Sequence, residues 1–414
     1  MRVLELGLKN VGPFDEARVE FLSRDRATEP GVTLLTGKNG TGKTILLDAI
    51  RFFFGKYYRK AERDIWRPEA PLELEVIHSF HSNDDTSIIR NKILLANSNS
   101  SIFGIDEVLW EMPENVASGD RPPPWVVDFW RSQITFDTYQ IQALAAFKHR
   151  ELYQGSLQGT VSNADVTQLL CHLDYLRDSR DPGKKLVGEV LFALAEKIIK
   201  FSLLDGELIG IERLTFTPKV RQGGHEVPLG SVSSGNAYLA QRMLSLLGRM
   251  YSLHVLRGGD PAEIHRTPGL LLIDEAENHL HPVWQKKFLP GIREIFPNLQ
   301  IIAATHSPFI LASVPDARVY VCHYDPASRR SLVTEETEAY QNKPVDEILA
   351  SPAFDGTLPF GPEITELLRS RKEAIKANDG PKRLAIEGEL ERRNPTYFSY
   401  LTIDRQLNEL GKAS

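Results

Sequence analysis

One stretch constrains this chain more than any other: Gly37-Lys38-Asn39-Gly40-Thr41-Gly42-Lys43-Thr44. It follows the short apolar run VTLLT, which has the look of a buried strand, and it opens KTILLDAIRFFFG, whose apolar residues fall at helical spacing up to Gly55. Strand, glycine-rich turn and helix in that order make a cradle for phosphate. The glycines let the backbone wrap so that successive N–H groups point inward, at the positive end of the helix dipole. Lys43 then reaches the β- and γ-phosphates of a nucleoside triphosphate, and the Thr44 hydroxyl holds Mg²⁺. ATP and Mg²⁺ are therefore the expected ligands. From average composition, the four fixed positions would coincide by accident in a chain of this length roughly 1–2% of the time. A chance turn is a poor account of them.

A second signal is LLLIDEAE, residues 270–277. An apolar strand ending in two carboxylates puts the acids at the carboxyl end of the sheet, where α/β proteins bind ligands. Asp274 is expected to support Mg²⁺, and Glu275 to orient and deprotonate an attacking water. A strand ending in a polar turn is common, so this signal takes its force from the glycine-rich loop. The run Ile301–Thr305 is another buried strand, ending in Thr305-His306-Ser307-Pro308. His306 at an adjacent strand end could cap the strand. With the other motifs in order, it is expected to contact the γ-phosphate. Val232-Ser233-Ser234-Gly235 opens the helix AYLAQRMLSLL. Its hydroxyls at a helix start make an anion site as readily as an ordinary cap, and its place ahead of the acidic strand favours the anion site. His279 and His281, two apart, are better explained by a turn packing across a dimer interface than by a metal.

The 414 residues, 42% apolar and 25% charged, describe an ordinary folded protein with a net charge of −6. That charge argues against a surface coated for nucleic acid, although a local basic groove is compatible with it. The cluster Lys56, Arg59, Lys60, Arg63 and Arg67 is interleaved with Glu62, Asp64 and Glu69, so a solvated loop is the simpler account than a DNA contact. Two cysteines, Cys171 and Cys322, exclude a disulfide framework and fit a reducing cytoplasm. The opening MRVLELGLKN does not read as a signal peptide, and the longest apolar runs are strand-sized, so no membrane span is expected. Apolar strand signals alternate with amphipathic stretches around 139–152, 164–177, 186–203, 235–254 and 283–296. This predicts a mostly parallel sheet covered by helices. A strand pair is expected over 208–228, and another strand at ARVYVCHYD.

The order GKNGTGKT, SVSSGN, LLLIDEAENHLHP and ATHSP resembles the ABC-type ATPases of the SMC, RecF and OLD groups, over about 330 residues. The resemblance implies an α/β fold of the P-loop, SMC-head type with a short helical lid and a C-terminal helical extension. It divides the chain into an ATPase core (1–56 and 208–335), an inserted strand and lid region (57–207), and an extension that meets a partner (336–414). It also implies a homodimer or higher oligomer, in which Ser233, Ser234 and Gly235 of one subunit close over the ATP held by Lys43 of the other. A glutamine ending an early strand should touch Mg²⁺. Gln140 is the first choice, with Gln142 and Gln133 as rivals. Three departures stand out: Lys9 and Val11-Gly12-Pro13 where an arginine is usual, Asn236 after the signature glycine, and Ala276 where proline is common. The insertion is too short for long coiled-coil arms, and the tail lacks the acidic pattern of a Toprim nuclease. Its acids Glu363, Glu366, Glu387, Glu389 and Glu391 look like a solvated or partner-facing surface. The tail is similar to those of stand-alone bacterial anti-phage ATPases of the Septu kind, which implies a nuclease effector in trans. A RecF-like repair ATPase is the alternative.

Overall fold

The computed structural model describes residues 1–26, 29–54, 71–82, 85–96, 99–103, 123–132, 139–159, 161–203, 206–354, 356 and 360–410. The chain divides into two compact units, Met1–Ile348 and Leu349–Ser414. The first begins with β1 (Arg2–Val11), β2 (Phe14–Glu20), β3 (Val32–Gly37) and α1 (Lys43–Phe54). Strands β4 (Leu72–Ser82), β5 (Asp85–Ala96), β6 (Asn99–Phe103) and β7 (Val126–Trp130) follow. Helices α2 (His149–Gln154), α3 (Asn163–Arg177) and α4 (Pro182–Ser202) lead to β8 (Glu207–Glu212), β9 (Thr217–Gln222) and β10 (His225–Pro228). Next come α5 (Ser234–Arg257), β11 (Gly269–Ile273), α6 (Pro282–Ile295), β12 (Leu299–Ala304) and α7 (Pro308–Leu311). Strands β13 (Arg318–Asp325) and β14 (Arg330–Glu335) precede the short helices α8 (Thr337–Tyr340) and α9 (Val345–Leu349).

The central sheet has the order β14-β13-β3-β12-β11-β7 and is parallel except for β14. Every residue of β3, β7, β11 and β12 is buried, as befits strands covered on both faces. A second, antiparallel sheet runs β2-β1-β4-β5-β6. One hydrophobic core joins the two sheets, with Leu6, Leu74, Leu47, Ile50, Leu272 and Ile302 among its members. Leu46, Leu47, Ile50, Phe53 and Phe54 recur along α1 at the spacing that lays one face on this core. The parallel register aligns the carboxyl ends of β3, β12 and β11 side by side. That alignment gathers the loops after Gly37, Ile273 and Ala304 at one edge.

Several expectations are met and some are corrected. Helices α3, α4, α5 and α6 coincide with the amphipathic stretches, and the side chains of Ser162, Asp181 and His281 cap the starts of α3, α4 and α6. The Asp181 carboxylate accepts the Gly183 and Lys184 amides ahead of Pro182, an N1 residue that needs no donor of its own. The stretch at 139–152 differs: helix begins only at His149. Side chains of α3 take carbonyls that a helix would have used, Thr167 donating to Tyr139 at 2.8 Å and Gln168 to Ala145 at 2.8 Å. The 208–228 pair is a three-stranded sheet, β10-β9-β8. Segment 57–207 is woven into both sheets, since β4 pairs with β1 and β7 with β11. Helices α2, α3 and α4 pack on α5.

The second unit contains α10 (Pro362–Lys376), α11 (Gly380–Arg393) and α12 (Pro395–Leu410) around a small core of Leu390, Phe398 and Leu401. Glu387 departs from the solvated surface expected of the tail acids. It is buried, and the Arg371 and Arg383 guanidinium groups donate to its carboxylate at 2.7 and 2.8 Å.

Candidate active site

A cavity of about 420 Å³ opens at the carboxyl edge of the parallel sheet. Asn39, Gly40, Gly42, Lys43 and Thr44 line one side, and Asp274, Glu275, Thr305 and His306 the other. Three of the separate sequence motifs thus meet at one place. Pro13, Ile45 and Ala304 complete the wall.

The loop after β3 is shaped by glycine where nothing else fits. Gly37 has φ +129, and a Cβ there would lie 2.0 Å from the Cys322 carbonyl oxygen of neighbouring β13. Any side chain would break that strand pairing or the turn. Lys43 is buried, and its ammonium donates to the Gly37 and Lys38 carbonyls at 2.9 and 2.8 Å. Burial lowers its pKa below the usual lysine value, opposed by the charges of Glu277, Asp274 and Glu275.

Thr44 donates its hydroxyl to Asp274 Oδ1 at 3.0 Å. Burial pushes the Asp274 carboxyl up to about 6, against the Thr44 hydrogen bond and with help from Glu275 and Asp48. A hydroxyl and a carboxylate side by side form a hard oxygen donor pair of the kind Mg²⁺ prefers, so these residues fit that ion. Glu275 is exposed and sits at φ +50, and His279 at φ +62. Left-handed backbone at non-glycine residues costs roughly 1–3 kcal/mol each and persists only where surrounding contacts impose it. Those contacts are visible. Asn278 donates to the Ser132 carbonyl at 2.9 Å and to Glu275 Oε2 at 3.4 Å. Ala276 N–H donates to the Ala304 carbonyl at 2.9 Å, a bond that the proline common at this position could not make. Burial lowers the His306 pKa, the Lys43 charge adds to this and Glu275 opposes it, so the ring is neutral near pH 7.

Other expected residues lie elsewhere. Ser233 and Ser234 are exposed at the start of α5, outside the lining of this cavity. A Cβ on Gly235 would stand 2.1 Å from the His279 carbonyl oxygen, so the α5 start abuts the turn that carries the acids. Gln140 and Gln142 are exposed on the stretch before α2 and do not line the cavity, while Gln133 and the basic cluster 56–67 fall outside the described residues. Lys9 pairs with Glu73 at 3.8 Å on the antiparallel sheet. His281 caps α6, its Nδ1 accepting from Val283 N–H at 3.4 Å, and the His279 ring lies 5.9 Å from that of Tyr238. Sequence reasoning missed Glu277, which accepts from Thr305 Oγ1 at 2.6 Å and from His306 N–H at 2.6 Å. Its only signal was a third acid after the pair at 274–275.

Two family models match the chain. One, described as "AAA domain", covers residues 5–154, and the other, "AAA domain, putative AbiEii toxin, Type IV TA system", covers residues 161–312. Septu protein PtuA of Bacillus thuringiensis is 26% identical over 316 residues, which is 75% of this chain and 72% of that protein. The Retron Vc95 probable ATPase of Vibrio cholerae serotype O1 biovar El Tor is 28% identical over 26% of this chain and 21% of its own length. Among solved structures, the SMC head domain from Thermotoga maritima aligns over 81% of this chain and 99% of that one, with a TM-score of 0.44 and 15% identity. The chain thus carries AAA ATPase domain sequence over 5–154 and 161–312, and it is similar to Septu PtuA and to a retron ATPase.

Proposed function

We propose that the chain hydrolyses ATP between two copies of itself in the bacterial cytoplasm, and that this cycle governs a partner effector, such as a nuclease, in an anti-phage defence complex. One observation carries the nucleotide half of this. Thr44, Asp274, Glu275 and His306 line one cavity while the serines at the start of α5 stand exposed outside it. Such a site lacks its serine contact until a second subunit supplies one. In this reading Gly37–Thr44 hold the phosphates, and Thr44 and Asp274 hold Mg²⁺. Bound Mg²⁺ supplies neutralising charge for the phosphate oxygens. Glu275 takes the proton of the attacking water, and neutral His306 hydrogen-bonds the terminal phosphate. Ser233, Ser234 and Gly235 act on the partner's nucleotide. The defence role rests on the likeness to Septu PtuA and retron ATPases.

Paired variants test the chemistry. Lys43→Ala should abolish binding of a fluorescent ATP analogue. Glu275→Gln should bind it normally yet release phosphate ~10²–10⁴-fold more slowly, the usual loss for a positioned base. Wild-type phosphate release by Glu275→Gln would overturn the assignment. Co-purification from the native host tests the effector. Retention of DNA alone, with no protein partner, would favour the repair alternative.

A further inference from the structure

Two consecutive side chains staple the loop after β11 to its surroundings. Glu277 presents both carboxylate oxygens to the end of β12, Oε2 to the Thr305 hydroxyl and Oε1 to the His306 amide, each at 2.6 Å. Thr305 Oγ1 in turn accepts the Ser307 amide at 3.0 Å, and the Ser307 hydroxyl donates to Gln285 Oε1 at 2.6 Å. Gln285 Nε2 returns to the Leu280 carbonyl at 2.8 Å, three residues beyond Glu277. These bonds form a closed ring joining the two loops and the first turn of α6. Asn278 turns the other way and ties Glu275 Oε2 to the Ser132 carbonyl beyond β7. The dipeptide lies between the two left-handed residues Glu275 and His279, where the backbone most needs external restraint.

We propose that Glu277 and Asn278 are positioning residues of the ATP site, Glu277 for His306 and Asn278 for Glu275. This rests on the roles given above to Glu275 and His306. Neither residue of the dipeptide lines the cavity, so both act through their neighbours. The chemistry of the ring requires an acceptor towards His306 N–H, whereas Thr305 has a hydroxyl that can donate or accept. Glutamine at 277 can therefore keep the ring: its oxygen takes the His306 amide and its NH₂ donates to Thr305. Alanine cannot.

The experiment uses the full chain with Glu277→Ala, Glu277→Gln and Asn278→Ala, and His306→Ala and Glu275→Gln as references. Steady-state kcat and KM, affinity for a fluorescent ATP analogue, and hydrogen exchange of nucleotide-free protein are measured. Glu277→Ala and Asn278→Ala should lower kcat by up to about 100-fold, the scale of a small misplacement of working groups, with analogue affinity within about twofold of wild type. Exchange should quicken at 305–306 in Glu277→Ala and stay unchanged in β11. Glu277→Gln should recover most of the rate. Wild-type kcat in Glu277→Ala beside an impaired His306→Ala would overturn the proposal, as would Glu277→Gln as defective as Glu277→Ala. Full kcat in both reference variants would instead overturn the reading of the site, and the proposal with it.

Discussion

At the scale of single residues, Asp274 has the most measurable consequence. Its carboxyl is pushed from 3.8 to about 6, chiefly by burial, so the neutral form suits the metal-free fold. Stability from this group is fully present below pH 3.8 and is lost as pH rises through about 6. In EDTA, wild type should therefore fall behind Asp274→Asn in thermal unfolding as pH goes from 5 to 7.5. Added Mg²⁺ should reverse the gap at pH 7.5, because the ion binds the ionised carboxylate. A gap constant across that range would disprove the titration. Lys43, Thr44, Asp274, Glu275 and His306, which line one cavity, were all legible as letters, because each belongs to a contiguous motif next to a buried strand. Glu277 and Asn278 were not, because a side chain that serves another residue obeys no ligand's geometry.

Among elements, α5 and β7 are joined by a buried ion pair. Arg249 donates to Asp128 Oδ1, and Trp130 Nε1 donates to Asp128 Oδ2 at 3.2 Å. Arg242, about two turns earlier along the same buried helix, donates to the Gly159 carbonyl at 2.9 Å. The helix that begins with Ser234 is thereby anchored to a strand that ends beside Asp274, whose N–H donates to the Trp130 carbonyl at 2.9 Å. Asp128→Ala should cost about 3–5 kcal/mol in urea unfolding, because it strands a buried guanidinium. The double replacement Asp128→Leu with Arg249→Met should recover most of that loss, since an apolar pair avoids the desolvation. A double variant as unstable as the single would contradict this. Helical period located α5, α3, α4 and α6, whereas at 139–148 apolar spacing was outweighed by hydrogen bonds from α3. Strand β14 was missed because it pairs antiparallel at the sheet edge, where only part of it is buried and no long apolar run forms.

For the whole molecule, the prediction is association. Glu275→Gln, which should hold ATP without turning it over, is expected to sediment as a dimer with ATP and as a smaller species without it. Ser234→Arg in the same background should abolish the shift while leaving the fold intact, because Ser234 is exposed in the single chain. ATP-dependent dimers that survive Ser234→Arg would contradict a serine contact supplied in trans. The isologous exchange of one surface makes a two-fold dimer the natural product. By itself, the sequence determined the phosphate loop, the acidic strand, the strand-end histidine and the α/β class, because each is written in contiguous letters with a fixed period or spacing. Only the tertiary structure decided that 57–207 threads through both sheets, and that Glu387 is buried with two arginines. It also decided that Glu277 clasps the end of β12. Those features depend on which distant residues meet, and pairing across the chain is set by packing and hydrogen-bond satisfaction rather than by local pattern.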